Sequence, residues 1–339
     1  MQEDFQAFLR TLDQHGELKK IVHPLSPYLE ITEVADRCMK MPGGGPALLI
    51  QKPEGYEIPV AINCFGSEKR MALALNVKDI QEIADEITSL LQPEIPESLS
   101  EKIKKLIQLS RFAKSSPKQV SNGICQEVVL TGRDIDLSML PILTCWPEDA
   151  GPFITLPLVF SHDPNTKKRN VGMYRIQVFD KTTTAMHWQM HKVGAEHARI
   201  ANEKKQKIEV CVVLGGNPAY TFSAISPLPP GIDEMLFAGF LRKESPKLVK
   251  AKTVDILVPA DAEIVIEGTI DPSETRIEGP FGDHTGYYSL PEPFPVFRVS
   301  CITMRERPVY PATIVGIPPM EDGYIGKAIE KIFLPLIRV

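Results

Sequence analysis

The sequence predicts an α+β chain built from two unlike parts, a small α/β domain followed by a strand-rich, barrel-like domain. Three observations carry this. Helical spacing dominates up to about residue 112, short β-type runs dominate from about 124, and a polar, proline-bearing segment, Ala113-Lys-Ser-Ser-Pro-Lys118, lies between them. A length of 339 residues makes two domains the natural division.

In the first part Phe5, Phe8, Leu9 and Leu12 recur at helical spacing, with Asp4 placed to cap the helix and Gly16 to end it. A second helix is expected from about Glu30 to Met39. Met41-Pro-Gly-Gly-Gly-Pro46 breaks the chain before a short strand at Ala47–Gln51. The triple glycine lacks both the Walker lysine–hydroxyl pair and the GxGxxG spacing, so a plain turn is the better reading. Helical pattern returns over 68–91 and 100–112. In the second part, runs at 124–130, 153–160, 171–179, 183–191, 208–214, 253–258, 263–270 and 296–304 read as strands, and 192–204 and 232–243 as helices. The expected limits are 1–115 and 116–320 for the domains and 321–339 for a linker helix leading to a C-terminal domain that is missing here. In that segment Ile325, Ala328, Ile329, Ile332 and Phe333 form an apolar stripe. It needs a partner surface, either on its own domains, on a neighbouring chain or on a further piece.

Composition narrows the function classes. The net charge of −5, from 38 basic and 43 acidic residues, gives no electrostatic footprint for nucleic acid. The six cysteines are widely spaced with no Cys-x-x-Cys pair, which argues against a zinc ribbon and for buried thiols in a reducing compartment. The start has no signal-peptide pattern and no apolar run is long enough to span a bilayer. The expectation is a soluble, cytoplasmic protein.

The most informative stretch is Glu278-Gly-Pro-Phe-Gly-Asp-His-Thr-Gly-Tyr287. Fully extended, the chain would hold the Cα atoms of Glu278 and Asp283 up to roughly 17 Å apart. The intervening Gly279, Pro280 and Gly282 favour a bend that can point both acids into one space. Two carboxylates in one pocket cannot both ionise freely, so one is expected to keep a proton for acid–base work. A solvated surface turn is the bland alternative. His284 and Arg276 flank the pair and could serve either the site or the surface.

Residues 171–191 read as a hairpin turning near Asp180-Lys181. Met173, Arg175 and Gln177 would share one face of the first strand, and His187, Gln189 and His191 one face of the second. A barrel interior or a ligand surface would account for so polar a face, and so would exposure to water. Asn170 differs in parity from Arg175 and reaches the same place only if Gly172 marks a bend. His191 suits a metal or a structural hydrogen bond, and His197 reads as an ordinary helix residue. Glu234, after Pro229-Pro230-Gly231, has a sufficient structural reason at a helix start.

Taken together, four segments are far more specific. They are Asn170-Val-Gly-Met-Tyr-Arg175, Met186-His-Trp-Gln-Met-His191, Pro227-Leu-Pro-Pro-Gly-Ile-Asp-Glu234 and Glu278-Gly-Pro-Phe-Gly-Asp283-His-Thr-Gly, in this order. They closely resemble the UbiD family of decarboxylases over nearly the whole chain. His187-Trp188 and Asp283-His-Thr-Gly-Tyr-Tyr288 lean toward its quinone-biosynthesis members. The resemblance implies a split β-barrel as the second domain, prenylated FMN as cofactor and a flavin prenyltransferase as its supplier. It also implies a divalent metal, Mn2+ or Mg2+, and in some relatives K+ near the Phe222–Ser226 loop.

By motif, Asn170, His191 and Glu234 would hold the metal that bridges the flavin phosphate. Met173, Tyr174, Arg175, His187, Trp188, Gln189, Lys192 and Val193 would contact the flavin, and Arg175, Glu278 and Asp283 would form the catalytic network. Aspartate at the last position is one methylene shorter than the glutamate frequent in the family. The implied reaction is non-oxidative decarboxylation of an aromatic acid, a polyprenyl 4-hydroxybenzoate or a dihydroxynaphthoate, in ubiquinone or menaquinone biosynthesis. Such a lipid-like substrate would bring peripheral contact with a membrane. Chains of this type normally continue into a further domain that covers the site and mediates homo-oligomerisation. The expectation is therefore a fragment, a split subunit or an inactive relative. A non-catalytic flavin-binding or assembly subunit is the competing class, and a flavin oxidoreductase a weaker third.

Overall fold

The structure, a computed structural model, describes residues 2–91, 115–189, 192–229 and 231–337. The expected helix at 100–112 and His191 lie outside the described residues. The fold is mixed α and β, with eight helices among the described residues and a curled half-barrel sheet.

The amino-terminal part begins as its pattern requires. The helix Phe5–Gln14 buries Phe5, Phe8, Leu9 and Leu12, and the Asp4 side chain accepts from the Ala7 amide at 2.7 Å. The helix Glu30–Met39 and the strand Ala47–Ile50 also follow their expected limits. The pattern at 68–91 resolves into two helices, Glu68–Ala74 and Gln81–Leu91. Asn76 between them has a φ of +54°, a left-handed conformation that ends a helix. The triple glycine is a structural turn. The Gly44 and Gly45 carbonyls accept from the buried Arg70 guanidinium, and Asn63 Nδ2 donates to Gly44 at 2.8 Å. A Cβ on Gly44 would fall 1.8 Å from the Gly66 carbonyl oxygen, so nothing larger fits there.

The core of the second part is a nine-stranded sheet. Eight strands run in the order Phe153–Ile154, Ile176–Val178, Thr183–Met186, Glu292–Met304, Ile264–Glu278, Ile208–Leu214, Leu158–His162 and Arg169–Met173, and Val128–Thr131 pairs beside Glu292–Met304. Its long central pair, Ile264–Glu278 with Glu292–Met304, carries irregularities at Glu267/Gly268 and Ile270/Thr275 that let it curl. The run expected as one strand over 171–179 is two. Arg169–Met173 pairs with Leu158–His162, whereas Ile176–Val178 pairs with Thr183–Met186 and Phe153–Ile154. Tyr174 and Arg175 form the corner, so the bend needed to relate Asn170 to Arg175 sits there rather than at Gly172. The second strand ends at Met186, and His187–Gln189 continue as irregular chain. The helix Pro218–Ile225 was not expected; its pattern is apolar nearly all round, which hides a helical period.

The two parts are stitched together. The strand Tyr310–Ala312 returns to pair in parallel with Val60–Ile62 and completes a four-stranded sheet in the amino-terminal part. The closing helix Glu321–Ile337 then packs against Glu68–Ala74 and Gln81–Leu91. Ile325, Ala328, Ile332 and Phe333 are buried there in one cluster with Phe8, Met71, Ile83 and Phe237. The apolar stripe thus finds its partner surface within its own chain.

Candidate active site

The centre of the site is Arg175, placed by the strand corner and gripped from one side. Its Nε donates to Glu278 Oε1 at 2.7 Å and its Nη2 to Glu278 Oε2 at 3.1 Å, a paired geometry with high directional specificity. Nη1 lies 3.4 Å from Asp283 Oδ2, and Nη2 also donates to Ser289 Oγ at 3.1 Å. His187 Nδ1 meets Glu278 Oε2 at 3.1 Å, and its ring lies against Phe294 with centroids 4.2 Å apart. The Phe281 ring covers the guanidinium carbon at 4.8 Å. Glu278 is fully buried.

The acid pair does not share a proton in the way the sequence suggested. Arg175 contacts both carboxylates. Burial pushes Glu278 up, but hydrogen bonds from His187 and Arg175 outweigh it and leave the carboxyl below its ordinary value. Burial also pushes Asp283 up, and the His284 side chain and amide bring it down below its ordinary value. Both acids therefore rest as carboxylates.

The acid loop is held by Asp149, Gln177 and Ser289, none of which the sequence pattern tied to it. Asp149 Oδ1 accepts from the Gly282 amide at 2.7 Å, while its Oδ2 accepts from the Cys145 and Trp146 amides. Gln177 accepts from the Gly279 amide at 2.8 Å and donates to the Ala150 carbonyl. Ser289 Oγ accepts from the Phe281 amide at 3.2 Å. A Cβ on Gly282 would meet Trp146 Cδ1 at 2.1 Å, so the loop passes against the indole only with glycine there. Asp149 lies in a run of turn residues, and its role has no periodic signal. Arg276, expected near the pair, turns away to lie over the Phe179 ring, 3.8 Å from Asp180.

The same strand corner borders a second feature, a cavity of about 750 Å³ lined by Asn170, Met173, Tyr174, Lys192, Val193 and Glu234, with Ser226–Pro229 on its far wall. Asn170 Nδ2 and Glu234 Oε2 are buried and lack hydrogen-bond partners among the described residues. Burial pushes the Glu234 carboxyl up to about 7. A cation between them would relieve both costs, since an amide turned over presents its oxygen and a carboxylate needs a counter-charge. Among the described residues there is no cluster of three His, Cys, Asp or Glu side chains, so His191 stands on motif alone. The helix Val193–Glu203 starts at the cavity rim with no side-chain cap from Lys192, so its positive dipole end is turned to a place an anionic group could take. The residues present thus fit a cation and a phosphate. Tyr174 and Trp188 are mostly buried, packing edge to face at 6.4 Å, whereas Gln189, Lys192 and Val193 are exposed. His197 is a core residue bonded to Ser161 at 3.0 Å.

Known proteins resemble this chain over nearly its whole length. An uncharacterized protein of Archaeoglobus fulgidus is 52% identical over 338 residues, covering 99% of this chain and 69% of its own. Another from Aquifex aeolicus is 50% identical over 336 residues, with the same coverage. Among solved structures, a dimeric evolved form of the UbiD-class enzyme HmfF of Pelotomaculum thermopropionicum, in complex with prenylated FMN, superposes with a TM-score of 0.84 at 28% identity, covering 99% of this chain and 73% of that one. The closed form of the vanillic acid decarboxylase of Sedimentibacter hydroxybenzoicus gives 0.83 at 28% identity, covering 96% and 67%. Residues 9–87 match the 3-octaprenyl-4-hydroxybenzoate carboxy-lyase N-terminal domain, and residues 118–318 match the Rift-related domain of the same carboxy-lyases. The chain belongs to the UbiD family of decarboxylases.

Proposed function

We propose that this protein removes carbon dioxide from an aromatic carboxylic acid, using prenylated FMN with a divalent cation, Mn2+ or Mg2+. The observation that carries the reading is Arg175, held by a buried glutamate with a second acid at its free side. Its guanidinium would orient the substrate carboxylate. When bound, the flavin supplies an electron sink for the carbon–carbon bond as it breaks. Lys192, Val193, Met173 and Tyr174 would take its phosphate end, and His187, Trp188 and Gln189 the region toward the acids. Asn170 and Glu234, with His191 by motif, would hold the cation.

Asp283 is the better proton donor of the two acids. Both oxygens of Glu278 are already occupied by Arg175 and His187, whereas Asp283 Oδ2 has only a long contact to Arg175. Glu278 then sets the position and charge of Arg175. The substrate class we favour is a polyprenyl 4-hydroxybenzoate or dihydroxynaphthoate of quinone biosynthesis. Tyr287, Leu290 and Ile317, beside the acid loop, are 79%, 77% and 63% exposed, an apolar border suited to such a chain. A flavin prenyltransferase would supply the cofactor, and the apolar substrate would bring the protein to a membrane surface. Among the described residues no helix is long and apolar enough to cross a membrane.

The test is to mature the protein with prenylated FMN and offer these acids alongside a working relative, following carbon dioxide and product. Turnover supports the reading, and inertness toward all of them beside an active relative defeats it. An assembly subunit would need the apolar stripe of 325–333 open to another chain, and Ile325, Ala328, Ile332 and Phe333 are buried within this one.

A further inference from the structure

Decarboxylation consumes a proton. A carboxylate substrate leaves as carbon dioxide and a product bearing one new C–H bond, so one proton must enter the site in each cycle. Asp283 rests ionised and has to be recharged from water. The network around it runs outward in steps. Side-chain exposure is 0% at Glu278, 12% at Arg175, 29% at Asp283 and 66% at His284. Arg175 cannot pass a proton, because guanidinium does not deprotonate in proteins. The open direction is therefore through His284, whose Nδ1 lies 2.7 Å from Asp283 Oδ1.

We propose that His284 is a relay and positioning residue that carries the consumed proton from solvent to Asp283. This rests on the decarboxylase reading of the site. The imidazolium gives its Nδ1 proton to the carboxylate and becomes neutral imidazole, and a proton from water restores the cation. A half-turn of the Asp283 carboxyl moves the acquired proton from the Oδ1 side to the Oδ2 side, next to Arg175. Asp283 then gives that proton to the product carbon and returns to carboxylate. The two oxygens already face these two directions, since Oδ1 also accepts from the His284 amide at 2.7 Å. The turn is fixed by hydrogen bonds from the Asp283 amide to the Tyr287 carbonyl and from the Gly286 amide to the Asp283 carbonyl. Asp322, at the start of the closing helix, feels the charge of both residues. Burial pushes its carboxyl up, the His284 charge opposes this, and the Asp283 charge adds to it.

Asparagine separates relay from turn-ordering, because its side-chain N–H can bond Asp283 but cannot pass a proton on. In the cofactor-free chain, carboxyl-carbon NMR should show Asp283 titrating higher in His284→Ala and near wild type in His284→Asn. An unchanged titration in His284→Ala overturns the coupling. In the loaded enzyme, both variants should lose kcat by roughly 100-fold or more with little change in KM, the lower end of a general acid–base contribution. Added imidazole should restore His284→Ala, whose ring position is open to solvent, and not His284→Asn. Full turnover in His284→Asn, or no rescue of His284→Ala, overturns the relay alone. An inactive wild type instead takes down the decarboxylase reading beneath it.

Discussion

Glu278 is the residue whose surroundings constrain it most. It is buried, and its two oxygens receive three donors from Arg175 and His187. Glu278→Gln keeps the shape and loses the charge that balances Arg175. Turnover is expected to fall by about 100-fold or more, since removing one preorganised electrostatic group commonly costs that much. The flavin absorbance of the purified protein should persist, and its loss would assign Glu278 a structural job instead. The same network sets an acid limit. Glu278 and Asp283 titrate below their ordinary values in the folded chain, so their contribution to stability is present above those values. It is lost as pH falls through the folded-state values, because the unfolded chain takes up protons first. Glu278→Gln should therefore unfold less steeply with acid below about pH 4, near the ordinary glutamate value. Equally steep curves for both proteins would contradict this. Glu234 makes the complementary case. Its oxygen and the Asn170 amide, both without partners among the described residues, border the same cavity. Glu234→Ala should release metal and flavin together in elemental analysis and absorbance, and retention of both at wild-type levels would remove it from the site.

Elements place these residues, and they differ in how well the sequence discloses them. The helix Phe5–Gln14, its Asp4 cap and the helix Glu30–Met39 were legible because each turns an apolar stripe to a core and local chemistry marks the ends. The acid pair was legible as a motif, but its electrostatics were not. The groups that pull Glu278 down, His187 and Arg175, stand 91 and 103 residues away, whereas Asp283 is lowered mainly by its neighbour His284. The corner at Tyr174–Arg175 was not legible either, since it follows from which neighbours each half-strand pairs with. Asp149 escaped notice, and Gln177 was visible only as part of a polar strand face, for the same reason: their partners are amides of the distant 278–282 loop. That loop is the element most sensitive to a small change. Gly282→Ala would drive a methyl into Trp146, and the loop must shift to admit it. The expected result is a kcat loss larger than the loss of thermal stability, because a displacement of about 1 Å in a catalytic group can cost on the order of 100-fold. A purely thermal defect with normal kcat would show that the loop tolerates the shift.

At the scale of the molecule, the chain behaves as two parts by pattern and as one by connection. The strand Tyr310–Ala312 lies beyond the large sheet in sequence but completes the small sheet of the amino-terminal part. The closing helix follows, with Glu321 fixed by the Phe65 amide at 2.6 Å and by Thr313 at 2.7 Å, and Ile332 fully buried. Separating the parts would therefore break a parallel strand pair and expose the cluster that contains Phe8, Phe237 and Phe333. Such shared burial couples the two parts, so they should unfold together rather than in sequence. The chain offers a direct probe of this. Its two tryptophans, Trp146 and Trp188, both lie in the second part, whereas far-ultraviolet circular dichroism reports helices of both. Urea curves from the two signals should coincide in midpoint and slope. Ile332→Ala sits in the amino-terminal cluster, yet it should move the tryptophan curve as far as the dichroism curve, with a loss of about 2–5 kcal/mol for a buried large-to-small change. If the dichroism shifts while the tryptophan transition stays in place, the parts are independent, and the closing helix serves the first domain alone.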